Sequence, residues 1–146
     1  MLRNHSPVTG LEAKFSLEFA VASALVAREV GLAQLTDKFV AAAPVREAMG
    51  KVKIATVDSS CPVEPIFALN DRVVLELRDG RRLDSGDVRF ARGNAKLPLK
   101  GEELKAKFLD CTAGADYLDA GALYRALAKL GEQCSLRRLG ASTATA

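Results

Sequence analysis

The side chains in this sequence that could do chemistry are few and far apart. His5 is the sole histidine among 146 residues, so no second imidazole is present to complete a metal site or a histidine-based catalytic set. The three cysteines, Cys61, Cys111 and Cys134, fit neither a disulfide framework nor the paired spacing of a zinc site. We therefore predict three reduced thiols without a chemical role, and a His5 that is more simply explained as solvated.

Short catalytic and phosphate-binding motifs are absent from the sequence. No serine stands in a GxSxG turn, and neither GxGxxG nor GxxxxGK occurs. The 21 basic residues are interleaved with 18 acidic ones, and the arginines between Arg72 and Arg92 have no alternating aromatic side chains on which bases could stack. The sequence thus predicts that nucleic acid is not a partner.

The N-terminal part of the chain is predicted to be helical. Thr9 and Glu12 have the spacing of a capping box, and Gly31 suits a left-handed cap at the far end of the same helix. The apolar face between them consists of Phe15, Phe19, Ala22, Val26 and Val30. A shorter helix is predicted over residues 32 to about 40, and Pro44 suits the first turn of a third helix that runs toward Met49.

The middle of the chain changes to strand patterns. Residues 52–57 alternate with period two, and residues 61–65 form an irregular connection with two prolines. Two more helices are predicted after residue 99. The first carries Leu104, Phe108 and Cys111, and the second covers about residues 116–130, with a buried stripe of Ala120, Leu123, Leu127 and Leu130 and a stop at Gly131.

A hairpin is predicted around Asp79-Gly80. A two-residue turn would pair apolar with charged side chains on both faces. A three-residue loop with a left-handed Gly80 instead sets Leu75 opposite Leu83 and Glu76 opposite Arg82, and we prefer this bulged loop.

The order of these elements predicts an α+β fold, with a small antiparallel sheet of about three strands and helices packed on one side. We expect one domain over residues 1–139 and a flexible tail over residues 140–146. The longest apolar stretch, residues 19–30, is shorter than a bilayer span and contains Arg28, and the first ten residues do not resemble a secretory signal. We therefore expect a cytoplasmic protein without a membrane segment.

One long stretch resembles a family signature. Residues 7–22 read PVTGLEAKFSLEFAVA, which is similar to the PxTGLEAKFSxxY/FAxA pattern of the MmgE/PrpD family. The resemblance continues in order through VREAM with Lys51-Val52, the RDGR turn, LPL and ELKAKF. It covers roughly residues 5 to 111, and four ordered matches are more specific than any single short motif.

This resemblance implies a particular kind of chemistry. Known members include 2-methylcitrate dehydratase, cis-aconitate decarboxylase and iminodisuccinate epimerase, lyases and isomerases that act on small polycarboxylates without a metal or an organic cofactor. Their active site lies between an all-helical domain and a smaller α/β domain, and this chain resembles the second, C-terminal domain. Because Met1 stands only a few residues before the signature, we expect the helical domain and most acid and base groups to be missing from this chain, which would then be inactive alone.

The resemblance also implies four substrate-binding residues: His5, Thr9, Lys14 and Phe19, the last where some members carry a tyrosine. It identifies no catalytic residue in this chain. Helix capping alone explains Thr9, whereas a cation at Lys14 would suit a carboxylate. The alternative is a non-catalytic remnant or interaction module, in which the uncovered face recruits a second copy to form a homodimer or binds a helical-domain partner chain.

Overall fold

The computed structural model describes residues 4–132, which fall into two compact units. Within the described part, the first unit contains residues 4–54 and 105–132, and the second contains residues 55–104. The elements in chain order are α1 (Gly10–Ala13), α2 (Leu17–Ala27), α3 (Asp37–Val40), α4 (Ala43–Met49), β1 (Val74–Glu76), β2 (Arg82–Asp84), α5 (Gly101–Thr112) and α6 (Ala120–Ala128). Single-turn 3-10 helices add Leu32–Gln34 and Leu130–Glu132. The predicted α+β class is confirmed.

The predicted first long helix is in fact two helices, α1 and α2. Ser16 is extended, with φ −122°, and its hydroxyl accepts a hydrogen bond of 3.2 Å from the backbone N–H of Phe19, so it is the N-cap of a new helix. The end of α2 also differs from the prediction. Arg28 takes the left-handed conformation, with φ 60°, whereas Gly31 is extended ahead of a 3-10 helix. The prediction of Gly31 as the left-handed cap is therefore wrong.

The apolar core of the first unit lies among α1 to α4. Its buried members are Ala13, Phe19, Ala22, Val40, Val45 and Met49. The rings of Phe19 and Phe39 meet edge to face, with centroids 6.1 Å apart. The predicted helix over residues 32–40 is interrupted, because Thr36 is extended and caps α3. Pro44 lies in the first turn of α4, as predicted.

Gly10 lies where α1 packs directly against the segment before α3. A Cβ atom on Gly10 would stand 2.2 Å from the carbonyl oxygen of Leu35, which is far inside van der Waals contact. The backbone N–H of Gly10 donates to Asp37 Oδ1 over 2.8 Å. The glycine of the signature is therefore required by a close backbone approach.

The hairpin of the second unit has the predicted register. Leu75 pairs with Leu83 and Glu76 with Arg82 across the antiparallel strands β1 and β2. Gly80 has φ 83°, and its N–H donates to the carbonyl of Leu77 over 3.0 Å. The bulged three-residue loop is thereby confirmed.

The predicted strand over residues 52–57 is wrong, and the sheet in the described part of the chain has two strands instead of about three. The backbone N–H of Val52 bonds the carbonyl of Met49 over 3.1 Å at the end of α4. The side chain of Val57 is exposed to solvent. Alternating apolar residues indicate a strand only where a neighbouring strand offers backbone partners, and none of the described residues does so here.

Both C-terminal helices are confirmed in place, but the second differs from the prediction in length. α6 begins at Ala120 because the Asp119 carboxylate caps it, accepting a 2.8 Å hydrogen bond from the N–H of Ala122. The helix is therefore shorter than the predicted 116–130, and Gly131 falls within the 3-10 turn. The predicted stripe on α6 is not buried, since Leu127 and Leu130 are exposed. Cys134 and the predicted tail at 140–146 lie outside the described residues.

Candidate functional site

The leading loop, residues 4–9, stands immediately before α1 and begins the signature. Arg46 of α4 binds this loop through two hydrogen bonds: Nη1 donates to the carbonyl of Pro7 over 2.8 Å, and Nη2 donates to Ser6 Oγ over 3.4 Å. The N–H of Asn4 donates to the carbonyl of Phe15 over 3.0 Å. These contacts fix the position of His5 and Thr9 against the helices of the first unit.

Thr9 is the N-cap of α1 and completes the predicted capping box. Its hydroxyl accepts from the N–H of Glu12 over 3.2 Å, while Glu12 Oε2 accepts from the N–H groups of Val8 and Thr9 over 2.7 and 3.1 Å. The hydrogen bonds from Val8 and Thr9 hold the pKa of the Glu12 carboxyl below its ordinary value. The Thr9 side chain therefore has a structural role as the cap of α1.

His5 is exposed to solvent but has a partner. Its Nδ1 lies 2.7 Å from Oε1 of Glu18, with 72% of the histidine side chain and 11% of the glutamate side chain exposed. Ser16 Oγ donates to the other Glu18 oxygen over 3.4 Å. Burial acts to raise the pKa of the Glu18 carboxyl, but the hydrogen bonds from His5 and from other donors outweigh it, and the pKa is lowered.

Lys14 and Phe19 differ sharply in exposure. Lys14 follows α1 at the surface, and none of the carboxylates that the structure describes forms an ion pair with its ammonium group. Phe19 is 1% exposed and fills the core. The expected substrate contacts of His5, Thr9, Lys14 and Phe19 stay predictions, although all four residues lie in the first unit on or beside α1 and α2.

Two residues that contact the leading loop were missed by reasoning from the sequence. Glu18 stands within the signature at a variable position, and Arg46 stands in the second matched segment, VREAM. Arg46 also lines a shallow pocket of about 240 Å³ with Val8, Val40 and Ala41. The presence of Arg46 in a matched segment was the available signal; its contact with the leading loop spans 39 positions and has no local pattern.

In the second unit, the surroundings of Cys61 favour the ionised form of its thiol. Hydrogen bonds from the backbone N–H groups of Glu64 and Val63, together with the guanidinium of Arg89, lower the pKa of this thiol. Cys61 and Cys111 are both free, and Cys61 is half-buried. A lowered pKa favours the thiolate, which is the nucleophilic form of cysteine.

The arginines of the hairpin are largely paired with carboxylates. Arg72 binds Asp84 through two hydrogen bonds of 2.8 and 2.6 Å, and Arg82 lies 3.1 Å from the same carboxylate. Arg72 holds the pKa of Asp84 far below its usual range. Such pairing leaves little positive field for a polyanion, but the prediction against nucleic acid stays a prediction.

Among residues 4–132, no group of three or more histidine, cysteine, aspartate or glutamate side chains is arranged to hold a metal ion. No helix in that range has the length and apolar character needed to cross a membrane.

Comparison with protein families identifies the class to which this fold and signature belong. The model of the MmgE/PrpD C-terminal domain matches residues 2–120, well over half of the chain. The chain therefore belongs to the MmgE/PrpD family and contains its C-terminal domain, as the resemblance indicated. A comparison with curated proteins found no match.

Proposed function

We propose that this domain provides one wall of a binding site for small di- or tricarboxylates in a cofactor-independent lyase or isomerase. Family membership supports the reaction class, because the known members named for the resemblance act on such substrates. The candidate wall is the surface around His5, Thr9 and Lys14, at the start of the signature.

Lys14 carries this proposal. Seven residues of the signature serve the fold as core residues, helix caps or close contacts: Pro7, Thr9, Gly10, Glu12, Ala13, Ser16 and Phe19. Lys14 is the C-cap of α1 through its backbone, but its exposed side chain does none of these and has no ion pair among the described residues. A cation held next to a capped helix is well suited to a charge-assisted hydrogen bond with a substrate carboxylate.

The remaining chemistry needs groups beyond this surface. Loss of water, of carbon dioxide or of an α-proton requires an acid and a base placed around one carbon while the carboxylates are held in position. We propose that a helical domain of the family type supplies most of these groups, and that the 146-residue chain alone is inactive. A cytoplasmic location is part of the proposal, supported by the unpaired Cys61 and Cys111.

Binding and turnover test the proposal separately. The purified chain is titrated with 2-methylcitrate, cis-aconitate and iminodisuccinate, and amide shifts are followed by NMR. We expect weak binding with shifts around Lys14, lost in Lys14→Ala and retained in Lys38→Ala, the matched control because Lys38 is also an exposed lysine of the first unit. Binding that is unchanged in Lys14→Ala contradicts the proposed wall, and turnover abolished by one substitution in this chain contradicts the proposed inactivity.

A second function, self-association as an interaction module, is favoured by apolar side chains of the signature. Leu11 and Phe15 are 68% and 53% exposed, and Val8 of the leading loop is also exposed. Exposed apolar residues grouped on one surface recruit a partner, most simply a second copy in a two-fold dimer. An alternative partner for the same surface is a helical domain.

Sedimentation equilibrium at micromolar concentration tests this second function. We expect a species above the 15.6 kDa chain mass, weakened by Leu11→Ser and unchanged by Val63→Ser, an equally polar change at an exposed residue of the second unit. A stable dimer needs upward of about 1,000 Å² of buried surface. A single species at the chain mass at every concentration contradicts it.

A further inference from the structure

The pair formed by His5 and Glu18 is the most chemically specific arrangement in the described residues. We propose that His5 is a proton acceptor that this domain presents to the substrate, and that Glu18 is the residue that positions it. This inference rests on the proposed polycarboxylate site, but the pair can be tested without any polycarboxylate.

Glu18 is held firmly enough to orient a ring. Its side chain is 11% exposed, and its two oxygens have different partners: His5 Nδ1 at 2.7 Å and Ser16 Oγ at 3.4 Å. Ser16 in turn accepts the N–H of Phe19, whose ring lies in the core. Glu18 also stands in the first turn of the 11-residue helix α2, where the helix dipole stabilises a negative charge.

The contact determines which nitrogen of His5 carries the proton. An ionised carboxylate is an acceptor only, so Nδ1 must be the donor of the 2.7 Å hydrogen bond. In the neutral ring, the lone pair then lies on Nε2. The side chain is 72% exposed, and no residue in 4–132 is paired with Nε2.

This division of roles suits proton transfer. Nε2 takes a proton from a carbon next to a carboxylate, the electron pair of the broken C–H bond stays on the substrate, and the adjoining carboxylate delocalises it. The ring becomes an imidazolium, which the Glu18 carboxylate stabilises through Nδ1–H. No oxidant, metal or cofactor is needed to balance this step.

A purely structural pair is the competing explanation, since the contact also joins the leading loop to α2. A salt bridge with one exposed partner contributes only modestly to stability, so a change in stability alone does not separate the two explanations. The two explanations differ in what Glu18 does to the base strength and geometry of Nε2. The experiment therefore measures proton abstraction from carbon directly.

The probe is 5-nitrobenzisoxazole, whose ring opens when a base removes the proton from its carbon, releasing a coloured phenolate. His5 is the only histidine, so its contribution is isolated by His5→Ala. We expect the wild-type chain to react severalfold faster than the same concentration of N-acetylhistidine, and His5→Ala to lose this excess. Glu18→Gln should lose most of it, because the amide can donate to Nδ1 and move the ring proton to Nε2.

Two variants and one spectrum complete the design. Glu18→Asp should recover part of the rate, and Glu47→Gln, a change at an exposed carboxylate of α4, should leave it unaltered. Long-range ¹H–¹⁵N spectra of neutral His5 should show the proton on Nδ1 in the wild type. This measurement needs no variant, so it tests the proposal even if a variant does not fold.

The proposal is overturned if the neutral ring of the wild type carries its proton on Nε2, or if folded Glu18→Gln reacts as fast as the wild type. If polycarboxylates do not bind but the wild-type chain still reacts faster than N-acetylhistidine, the proposed function is overturned and the role of His5 as a base is supported. If polycarboxylates bind but the reaction is no faster than that of N-acetylhistidine, only the proposed role of His5 and Glu18 is overturned.

Discussion

The two units of this domain are stabilised by different means. In the first unit, α1 to α4 enclose an apolar core around Phe19 and Val45, and the signature supplies both core residues and helix caps. Among the described residues of the second unit, none is buried, and the hairpin depends on its bulged turn and on ion pairs such as Arg72 with Asp84. The family signature, residues 7–22, therefore lies in the unit that has the core.

The largest difference between the two units is expected in the free energy of unfolding when a phenylalanine is replaced by alanine. Phe19→Ala should lower the free energy of unfolding by about 3–5 kcal/mol, because it leaves a cavity among buried side chains. Phe67→Ala in the second unit should cost far less, since that ring is 57% exposed. Urea denaturation of both variants measures the difference, and similar losses would break the distinction between the units.

A smaller contrast is expected for glycines. Gly10→Ala should destabilise the protein by about 1–3 kcal/mol, because the added Cβ would meet the carbonyl of Leu35. Gly101→Ala, where nothing stands within 4 Å of the added atom, should be neutral or slightly stabilising. The midpoint of chemical denaturation at an unchanged slope gives both values. A neutral Gly10→Ala would show that the close approach of α1 is not maintained.

Acid should weaken the first unit through Glu18. The pKa of this carboxyl is lower in the folded than in the unfolded protein, so its stabilising contribution is present above the ordinary value of 4.5 and is lost as the pH falls through the folded-state pKa. Denaturation midpoints from pH 7 downward should therefore fall less steeply for Glu18→Gln than for the wild type. Glu29→Gln, at an exposed glutamate of the same unit, should reproduce the wild-type curve. Parallel curves for the wild type and Glu18→Gln would refute the prediction.

The smallest effect on stability, but a clear chemical one, is expected at Cys61 of the second unit. Because the pKa of its thiol is lowered, a larger share is thiolate at neutral pH, and iodoacetamide should label it faster than Cys111, which is exposed on α5. Peptide mass mapping at short times distinguishes the two sites. Arg89→Ala should slow labelling at Cys61, and earlier labelling of Cys111 would contradict the prediction.

The family, the class of fold and the local turns could all be predicted from the sequence. The capping box of Thr9 and Glu12, the place of Pro44 and the left-handed Gly80 with its hairpin register depend on residues a few positions apart, so their patterns are visible in the chain itself. The candidate site was predicted only as four residues: His5 just before the signature, and Thr9, Lys14 and Phe19 within it. Their partners were not.

Only the tertiary structure decided the rest, because those features depend on groups distant in the chain. Helical spacing continues through Ser16, yet the chain ends α1 and caps α2 there. Residues 52–57 alternate as a strand would, but no described strand pairs with them. His5 meets Glu18 across 13 positions, and Arg46 reaches Pro7 across 39. A sequence pattern records the preference of a residue for a local conformation, whereas a partner that is distant along the chain is chosen by the packing of the helices that carry both groups.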